Sequence, residues 1–421
     1  MMLTLYKAAL TLAAPVVAAV FALDPKRRAL LTRFRPPRPT LKSSPIWVHA
    51  CSVGEVNTAR PLLEALRRHQ PDTELLLTVS TPTGMELAQS AKLPATIAWF
   101  PLDHPLVVRR FVRHIQPRAL VLVETELWPC VITRVCATGA PVVLVNGRLS
   151  DAQAAAYSRY SAFLRPAAAA LSAAGMQNTA YAERLKALGT PPDRITITGN
   201  TKFDSAPARL VPEERATLRR ELGIPAAAPV LVFGSTRPGD EELAAECWRD
   251  LSPQFPGLTL IVAPRHLERV GDVQAALQGD GAILRSEIPV QASESTAGRI
   301  LLLDTHGELG RVYALADIAI VGGSFYPGVD GHNPIEPAAQ GVPTVFGPHM
   351  RNFQDAANAL LQGDGAMEVP SPQTLARELA ALLQDLPRRE ALGTSAHYCI
   401  EENQGATERT LELIERTLDA Q

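Results

Sequence analysis

A short apolar run followed at once by a polar loop decides the fold. The stretch reads Ile46-Trp47-Val48-His49-Ala50-Cys51-Ser52-Val53-Gly54-Glu55, and a helical pattern begins near Val56. Its first four residues have the length and composition of a buried strand. A strand, a short loop and a helix in this order form the first half of a βαβ unit. The stretch therefore predicts a parallel sheet covered by helices.

The same alternation of apolar runs and helical segments extends over the rest of the chain. Further strands are predicted at residues 75–80, 119–123 and 141–145 and, after a proline-rich break at 205–212, at 229–233, 258–262, 300–303, 318–321 and 344–346. We therefore predict an α/β fold with two doubly wound, Rossmann-like domains. Such sheets bind ligands at the carboxyl ends of their strands, and two sheets that face each other create a cleft.

Length and composition exclude several classes of protein. The chain has 421 residues, of which 46% are hydrophobic and 20% charged, so a disordered or low-complexity protein is excluded. A formal net charge of −2 argues against nucleic acid as a partner. The five cysteines are scattered, without the spacing of metal ligands, which indicates reduced thiols. We expect no metal site and no other cofactor.

The N-terminal 44 residues combine an apolar run with a basic segment. Residues 1–23 carry Lys7 as their single charge, and a helix of this length would span about 34 Å, close to the thickness of a hydrocarbon core. Residues 24–44 contain one acid, Asp24, and these basic residues: Lys26, Arg27, Arg28, Arg33, Arg35, Arg38 and Lys42. The charge after the run predicts an uncleaved N-terminal anchor or interfacial helix, with the remaining chain in the cytoplasm and in contact with anionic lipid. A signal peptide cleaved near Val20-Phe21-Ala22 and a buried helix are the alternatives.

Glu55 is the first candidate for a catalytic residue. A carboxylate that follows a strand and lies in a cleft can act as a positioned general base. The same position at a helix start also suits a capping carboxylate, whose pKa the helix N-terminus lowers. The sequence leaves both roles open. Cys51 as a nucleophile is a weaker alternative, because only the neighbouring His49 is available to activate it.

Two further polar groups follow predicted strands of the first domain. Glu124-Thr125-Glu126-Leu127-Trp128-Pro129 places two acids after a strand, where one can cap a helix and the other can belong to a site. Lys202, within Gly199-Asn200-Thr201-Lys202-Phe203-Asp204, supplies a cation near the break between the domains. An anionic donor would meet Lys202 there, whereas an ordinary surface lysine is the alternative.

The second half contains the residue types of a nucleotide site. Gly322-Gly323-Ser324 follows a strand and allows close approach to the backbone. His332-Asn333-Pro334-Ile335-Glu336-Pro337-Ala338 opens a predicted helix ending at Gly341, and such a helix start can bind a phosphate and ribose hydroxyls. Pro264-Arg265-His266 and Gly307-Glu308 complete the pocket. Because the chain has neither a Walker pattern nor a complete dinucleotide fingerprint, a nucleotide sugar is the favoured ligand.

Together these motifs resemble the Kdo transferases of lipopolysaccharide assembly, where Kdo is 3-deoxy-D-manno-octulosonic acid. The motifs lie at residues 49–55, 124–129, 202–204, 264–266, 307–309 and 332–336, and they span nearly the whole chain. The resemblance implies an inverting glycosyltransferase of GT-B architecture that moves Kdo from CMP-Kdo to a lipid A precursor, lipid IVA, without a bound metal. It also implies an inner-membrane protein whose catalytic part faces the cytoplasm.

The resemblance further implies roles for individual residues. Glu55 is then the proton acceptor for the lipid hydroxyl, and Glu124 and Lys202 stabilise the transition state. The residues implied to surround CMP are Pro264, Arg265, His306, Gly307, Glu308, Asn333, Pro334, Ile335 and Glu336. The chain departs from the family pattern at His306, where a methionine is common, and at Asp330, where a glycine usually precedes Gly331-His332.

The predicted organisation has five parts. They are a hydrophobic anchor (1–23), a basic juxtamembrane segment (24–44), an acceptor-binding domain (45–204), a linker (205–213) and a donor-binding domain (214–421), whose C-terminal helix can pack back on the first domain. Three alternatives remain: another membrane-associated GT-B nucleotide-sugar transferase, a nucleotide-sugar epimerase, and a catalytically inactive nucleotide-binding scaffold. An epimerase would not need the basic segment, and a scaffold would not need so many His, Arg, Lys and Glu residues at strand ends.

Overall fold

The chain divides into two compact units. The computed structural model describes residues 2–24, 27–277, 281–288 and 295–420, so Lys26 of the predicted basic segment lies outside the described residues. The first unit comprises residues 1–205 together with 404–421, and the second comprises residues 206–403. The last helix of the chain therefore belongs to the first unit.

The first unit is built on a parallel sheet of seven strands. Their order is β3-β2-β1-β4-β5-β6-β7, so the direction of winding reverses between β1 and β4. Apolar residues of β1 alternate between two cores: Trp47 packs on one face of the sheet, and Ile46 and Val48 pack on the other. The strands are β1 (Ile46–His49), β2 (Leu75–Val79), β3 (Thr96–Trp99), β4 (Ala119–Val123), β5 (Val142–Gly147), β6 (Ala173–Met176) and β7 (Ile195–Ile197).

Helices cover both faces of this sheet, as parallel strands require. The final helix, α17 (Ala406–Asp419), buries Leu411 and Ile414 in the same core as Ile46. The helices of the unit are α1 (Met2–Leu23), α2 (Val53–His69), α3 (Pro82–Ser90), α4 (Pro105–Ile115), α5 (Pro129–Cys136), α6 (Asp151–Arg159), α7 (Ser161–Ala170), α8 (Thr179–Leu188) and α17 (Ala406–Asp419).

The second unit repeats the architecture. Its seven parallel strands have the order β10-β11-β9-β8-β12-β13-β14, with the reversal between β8 and β12. The strands are β8 (Val230–Thr236), β9 (Thr259–Pro264), β10 (Ile283–Leu284), β11 (Ile300–Leu302), β12 (Ile318–Val321), β13 (Thr344–Phe346) and β14 (Ala366–Glu368). The helices are α9 (Pro212–Glu221), α10 (Asp240–Leu251), α11 (Val270–Ala276), α12 (Leu309–Val312), α13 (Ile335–Ala339), α14 (Gln354–Gln362), α15 (Pro372–Gln384) and α16 (Leu386–Asn403).

The predicted fold class is confirmed, since two doubly wound parallel sheets follow an apolar N-terminal helix. Each predicted strand overlaps an observed one, but β3, β6, β7, β10 and β14 were missed by the sequence pattern. β6 consists of two alanines, a glycine and a methionine, which are poor strand formers. β10 contains only two residues, and β14 ends in the exposed Glu368, so neither forms a continuous apolar run.

Helix α1 is long and apolar enough to cross a membrane. By length and composition alone, a signal sequence passes the same test. The basic segment that follows is not uniform. Arg27 pairs with Asp24 over 3.2 Å. Arg33 is only 8% exposed and donates a hydrogen bond to the carbonyl oxygen of Phe100 over 3.1 Å. Unlike the other arginines of the segment, Arg33 is therefore part of the protein interior and is unavailable to lipid.

Candidate active site

Glu55 lies in the first turn of α2, which begins at Val53 and not at the predicted Val56. Its carboxylate turns back toward the loop that precedes the helix. The backbone N–H of Cys51 donates a hydrogen bond to Oε2 over 2.7 Å, and the hydroxyl of Ser52 donates to Oε1 over 3.0 Å. The side chain thus closes the first helical turn, as a capping carboxylate does, and is held at the carboxyl end of β1.

The pKa of Glu55 is raised to about 8. Burial is the main cause, and the nearby carboxylates of Glu126 and Glu124 add to it, whereas the hydrogen bonds from Cys51 and Ser52 lower the pKa. The lower pKa expected at a helix N-terminus is therefore outweighed by burial and like charge. A carboxylate with a pKa near neutrality is suited to general-base work, because it is partly ionised and basic enough to take a proton.

Glu126 is a site residue to which the sequence motif gave no specific role. The indole N–H of Trp128 donates a hydrogen bond to its Oε2 over 2.6 Å, and Nε2 of the buried His49 lies 3.8 Å from the same oxygen. The other ring nitrogen of His49 lies 2.9 Å from the carbonyl oxygen of Thr78, so this Nδ1 carries the hydrogen. Burial lowers the pKa of His49, which keeps the ring neutral. The bond from Trp128 therefore positions the Glu126 carboxylate, one oxygen of which lies within 4.8 Å of an oxygen of Glu55.

Cys51 contributes its backbone to the site and not its sulfur. One oxygen of Glu55, one oxygen of Glu126 and Sγ of Cys51 lie within 4.8 Å of one another, a spacing that suits a metal ion. Burial, followed by the charges of Glu126 and Glu55, raises the pKa of the thiol to about 12. Because the thiolate is the nucleophile, that role is disfavoured for Cys51 at neutral pH.

Replacing Glu126 by Gln is expected to lower the pKa of Glu55, because one of the two negative charges that raise it is removed. The acidic limb of the pH profile of kcat/KM should move to lower pH by about one unit. A series of initial rates across pH measures this. Glu64→Gln, an exposed change on the same helix, is the matched control and should leave the limb in place. A profile of Glu126→Gln that coincides with wild type would refute the coupling.

Glu124 and Lys202 lie at the same edge of the sheet. Glu124 follows β4 with φ +62°, in the left-handed region that non-glycine residues adopt mainly where surrounding structure enforces it. It is close enough to raise the pKa of Glu55. Lys202 lies in a 3-10 turn that contacts α2, and the N–H of Thr201 ties this turn to Oδ1 of Asn146 over 3.0 Å. The structure thus gathers Glu55, Glu124 and the segment of Lys202 around α2.

In the second unit, a cavity of about 110 Å³ collects residues from several strand ends. Four of the predicted donor residues line it: Pro264, Arg265, His306 and Gly307. Glu308 makes contacts within the protein, accepting a hydrogen bond from the Thr305 hydroxyl and pairing with Arg285 over 3.4 Å. The two predicted segments, at 264–265 and 306–307, therefore form one wall of the cavity.

His332 stands among basic groups next to this wall. Burial, and then Arg265, Arg237 and His266, lower its pKa to about 4, so the ring is neutral at pH 7. Its Nε2 is buried and has no hydrogen-bond partner among the described residues. Sequence reasoning did not single out Arg237, and its place directly after a strand was the signal that could have found it. Two guanidinium groups in one place suit a phosphate.

Asp240 holds the two loops at the reversal of the second sheet. Its carboxylate accepts hydrogen bonds from the N–H of Gly323 over 2.7 Å and from the N–H of Arg237 over 2.9 Å. A Cβ at Gly322 would lie 2.5 Å from the carbonyl oxygen of Ser235, which leaves room for glycine alone. The close approach expected at the glycine pair is thus made by the neighbouring loop of the protein.

Asn333 and Glu336 are joined directly. Asn333 Nδ2 donates to Oε1 of Glu336 over 3.1 Å, and Asn333 Oδ1 accepts from the N–H of Ile335 over 3.0 Å. Burial raises the pKa of Glu336, whereas the Asn333 bond and the charge of Arg265 lower it. Helix α13 is only five residues long, shorter than predicted, and Asn333 Oδ1 already occupies the N–H of its first residue, Ile335. The structure therefore brings Arg265, His332 and Glu336 into one site through side chains.

The two departures from the family pattern have different structural settings. Asp330 has φ +65°, the left-handed conformation that glycine adopts freely. Its carboxylate accepts a hydrogen bond from Arg351 over 2.7 Å, and its carbonyl oxygen accepts one from the N–H of Asn352 over 3.0 Å. The turn that a glycine would form is thus kept by an aspartate. His306 is exposed at the edge of the cavity.

Comparison with known proteins identifies the family. A family model described as 3-deoxy-D-manno-octulosonic-acid transferase matches residues 25–205. The 3-deoxy-D-manno-octulosonic acid transferase of Haemophilus influenzae is 33% identical over 381 residues, which cover 89% of this chain and 87% of the relative. The chain belongs to the Kdo transferase family. The Kdo transferase of Bordetella pertussis is 34% identical over 389 residues, covering 90% of this chain and 88% of the relative.

Solved structures show which architecture this Kdo transferase has. The Anabaena protein HepE in complex with UDP aligns with a TM-score of 0.57 at 13% identity, covering 90% of this chain and 100% of that one. Staphylococcus aureus MnaA with UDP aligns with a TM-score of 0.55 at 13% identity, covering 89% of this chain and 97% of that one. At this identity the match concerns the fold alone. As a member of the Kdo transferase family the chain is a glycosyltransferase, and it has two Rossmann-like domains of the GT-B type.

Proposed function

We propose that the protein transfers Kdo from CMP-Kdo to a hydroxyl of a lipid A precursor, lipid IVA, with inversion at the anomeric carbon. The observation that carries the proposal is the Glu55 carboxylate, which is buried, fixed by two hydrogen bonds and has a pKa of about 8. A hydroxyl of the acceptor must lose a proton as it attacks, and such a carboxylate can take it at neutral pH.

The chemistry proceeds as a single displacement. The acceptor oxygen forms a bond to the anomeric carbon, its proton goes to Glu55, and the bond between Kdo and CMP breaks with both electrons remaining on the phosphate. Attack from the face opposite CMP inverts the configuration. Negative charge builds up on the leaving phosphate, so a fixed cation such as Lys202 lowers the barrier. Glu124 is proposed to stabilise the positive charge that develops on the sugar.

The donor is proposed to bind in the second unit. Arg265 and Arg237 supply positive charge for the phosphate, and the neutral His332 offers its buried Nε2 as an acceptor for a hydroxyl or amino group. Glu336, held by Asn333, is proposed to accept hydrogen bonds from the ribose hydroxyls. Pro264, His306, Gly307, Glu308, Pro334 and Ile335 complete the proposed CMP site.

The proposed acceptor is a lipid, and the apolar helix and basic segment of the N-terminal region support an association of the protein with a membrane. We assign the protein to the cytoplasmic face of the inner membrane, with α1 as its single anchor and anionic lipid beside the basic segment. Helix α1 is apolar along its whole length, with Lys7 as its single charge. Basic residues that follow an apolar helix favour the cytoplasmic side.

A transfer assay tests the proposed reaction. The full-length protein in detergent should release CMP from CMP-Kdo only when lipid IVA is present, and mass spectrometry should find the lipid increased by Kdo. CMP release without acceptor would indicate a hydrolase, and conversion of a UDP-sugar to its epimer would indicate the epimerase alternative. A chelator should have little effect on the rate. Absence of both products with an intact CMP affinity would favour a nucleotide-binding scaffold.

A further inference from the structure

Helix α1 has two different faces. Its large exposed residues fall within about 80° of one another around the helix axis, at about 100° per residue. They are Leu5, Leu12, Val16, Val20 and Leu23, of which Leu12 and Leu23 are 80% and 83% exposed. The partly shielded residues of the helix lie on the opposite side, and they include Leu3, Leu10, Ala14, Val17 and Phe21. One apolar face is thus directed at the protein and the other away from it.

Contacts near both ends fasten α1 along the first unit. The hydroxyl of Tyr6 donates a hydrogen bond to Oδ2 of Asp103 over 2.9 Å, and the Tyr6 ring lies 6.2 Å from that of Phe163. Near the other end, the rings of Phe21 and Phe34 lie 6.3 Å apart, edge to face. Fifteen residues of helix, about 22 Å, separate these contacts. A helix that crossed the bilayer would have to break them or draw the unit into the hydrocarbon.

A basic pocket adjoins the C-terminal end of α1. It has a volume of about 490 Å³, and Phe34, which packs against α1, forms part of its wall. Arg35, Arg38 and Arg110 line it with Phe111 and His114. His114 Nε2 lies 3.1 Å from the carbonyl oxygen of Pro39 and holds the two segments of the wall together.

The charged side chains that line this pocket and the neighbouring one are all arginines. A neighbouring cavity of about 650 Å³ shares Arg38 and Arg110 and adds Arg109 and Arg113. Helix α4, which carries three of these arginines, contains no acid, and neither do residues 28–39. Guanidinium groups around an apolar wall suit a phosphodiester whose glycerol and acyl chains continue toward an apolar surface. The exposed face of α1 provides that surface.

We propose that α1 lies in the plane of the membrane while it stays docked on the first unit, and that the pocket of Arg35, Arg38 and Arg110 binds the phosphate of an anionic phospholipid. The inference rests on the membrane association within the proposed function and specifies its geometry. The exposed leucines and valines of α1 enter the headgroup boundary, as in other interfacial helices. The arginines then fix the rotation of the unit against the bilayer.

A depth measurement separates an in-plane helix from a spanning one. Leu5→Cys, Leu12→Cys and Val20→Cys, labelled with a fluorophore and bound to vesicles, are quenched by lipids that carry nitroxides at different depths. Wild-type protein treated alike corrects for the native cysteines. An in-plane helix gives the same shallow depth at all three positions. A label at position 12 that lies about 10 Å deeper than one at position 5 would overturn the proposal in favour of a spanning helix.

Vesicle binding tests the pocket itself. With full-length protein and phosphatidylcholine vesicles that contain phosphatidylglycerol, Arg35→Gln with Arg110→Gln should weaken binding at low salt about fivefold for each arginine. The matched control, Arg68→Gln with Arg159→Gln, removes the same charge from exposed positions of the same unit and should have a much smaller effect. Equal loss in both double variants would refute a specific pocket.

Two further outcomes keep this inference apart from the proposed reaction. If wild-type protein binds vesicles as described but transfers no Kdo in detergent, the proposed reaction is refuted and the proposed docking surface is still supported. Normal transfer in detergent with vesicle binding that does not depend on phosphatidylglycerol would sink the pocket alone. If lipid IVA protected the arginines from chemical modification and phosphatidylglycerol did not, the pocket would belong to the acceptor and our assignment to a bilayer phospholipid would be wrong.

Discussion

Replacement of Glu55 by Gln should lower the rate of Kdo transfer by about 10²- to 10⁴-fold, the usual cost of losing a general base. The amide has nearly the size of the carboxylate and can keep one hydrogen bond to the loop, but it cannot accept a proton at neutral pH. Single-turnover rates with CMP-Kdo and lipid IVA measure the effect. Because the base acts on the acceptor, the affinity for CMP should stay within about twofold of wild type.

The pH dependence sharpens this expectation. Glu55 must be ionised to act, and its pKa is raised to about 8, so kcat/KM of the wild type should rise with pH through this value. The residual rate of Glu55→Gln should lack this acidic limb. Glu64→Gln serves again as the control on the same helix. Turnover of Glu55→Gln near the wild-type rate would remove Glu55 from the role of base.

The second large effect is expected for donor binding in the second unit. Arg265→Ala removes a cation that lies close to both His332 and Glu336 and should weaken CMP binding roughly tenfold to a hundredfold, as the loss of a charge-assisted hydrogen bond does. Glu336→Ala should also weaken CMP binding, because it removes the proposed acceptor for the ribose hydroxyls. Calorimetric titration of CMP measures both, with thermal unfolding of each variant as a check on folding.

A matched substitution serves as the control for the loss of charge in Arg265→Ala. Arg215 is an exposed arginine on α9 of the same unit, and Arg215→Ala removes the same charge without touching the cavity. Its affinity for CMP should equal that of wild type. If both Arg265→Ala and Glu336→Ala bound CMP as tightly as wild type, the proposed location of the CMP site would be wrong.

Local pattern predicted the framework of the fold because buried parallel strands are continuous apolar runs. Residues 119–123 and 318–321 are such runs and coincide with β4 and β12. β7 was not predicted because its three residues, Ile-Thr-Ile, are partly or fully exposed and do not form a continuous apolar run. The start of α2 was misplaced by three residues, since Ser52 is an extended residue whose side chain bonds to Glu55 instead of capping the helix in the usual way.

The chemistry of the site depended on contacts that no linear pattern shows. The sequence suggested that a helix N-terminus would lower the pKa of Glu55, but burial and Glu126, which follows a different strand, raise it. Arg33 read as one of several lipid-facing cations, whereas its guanidinium lies 5.8 Å from the ring of Trp128 in the interior. The order of strands in the sheet decides which charged side chains come close together. That order cannot be read from any local stretch of sequence.

Asp204 joins two parts of the chain that are synthesised far apart in time. Its carboxylate accepts hydrogen bonds from the N–H groups of Gly405, Ala406 and Thr407 at the start of α17, and this helix fills a face of the first sheet with Leu411 and Ile414. A ribosome that has finished residues 1–205 has therefore made a unit in which part of one apolar face, the part that α17 covers, is still exposed. This apolar surface is covered only after nearly two hundred further residues have been synthesised. We therefore expect nascent chains of this length to bind a chaperone that shields exposed apolar surface.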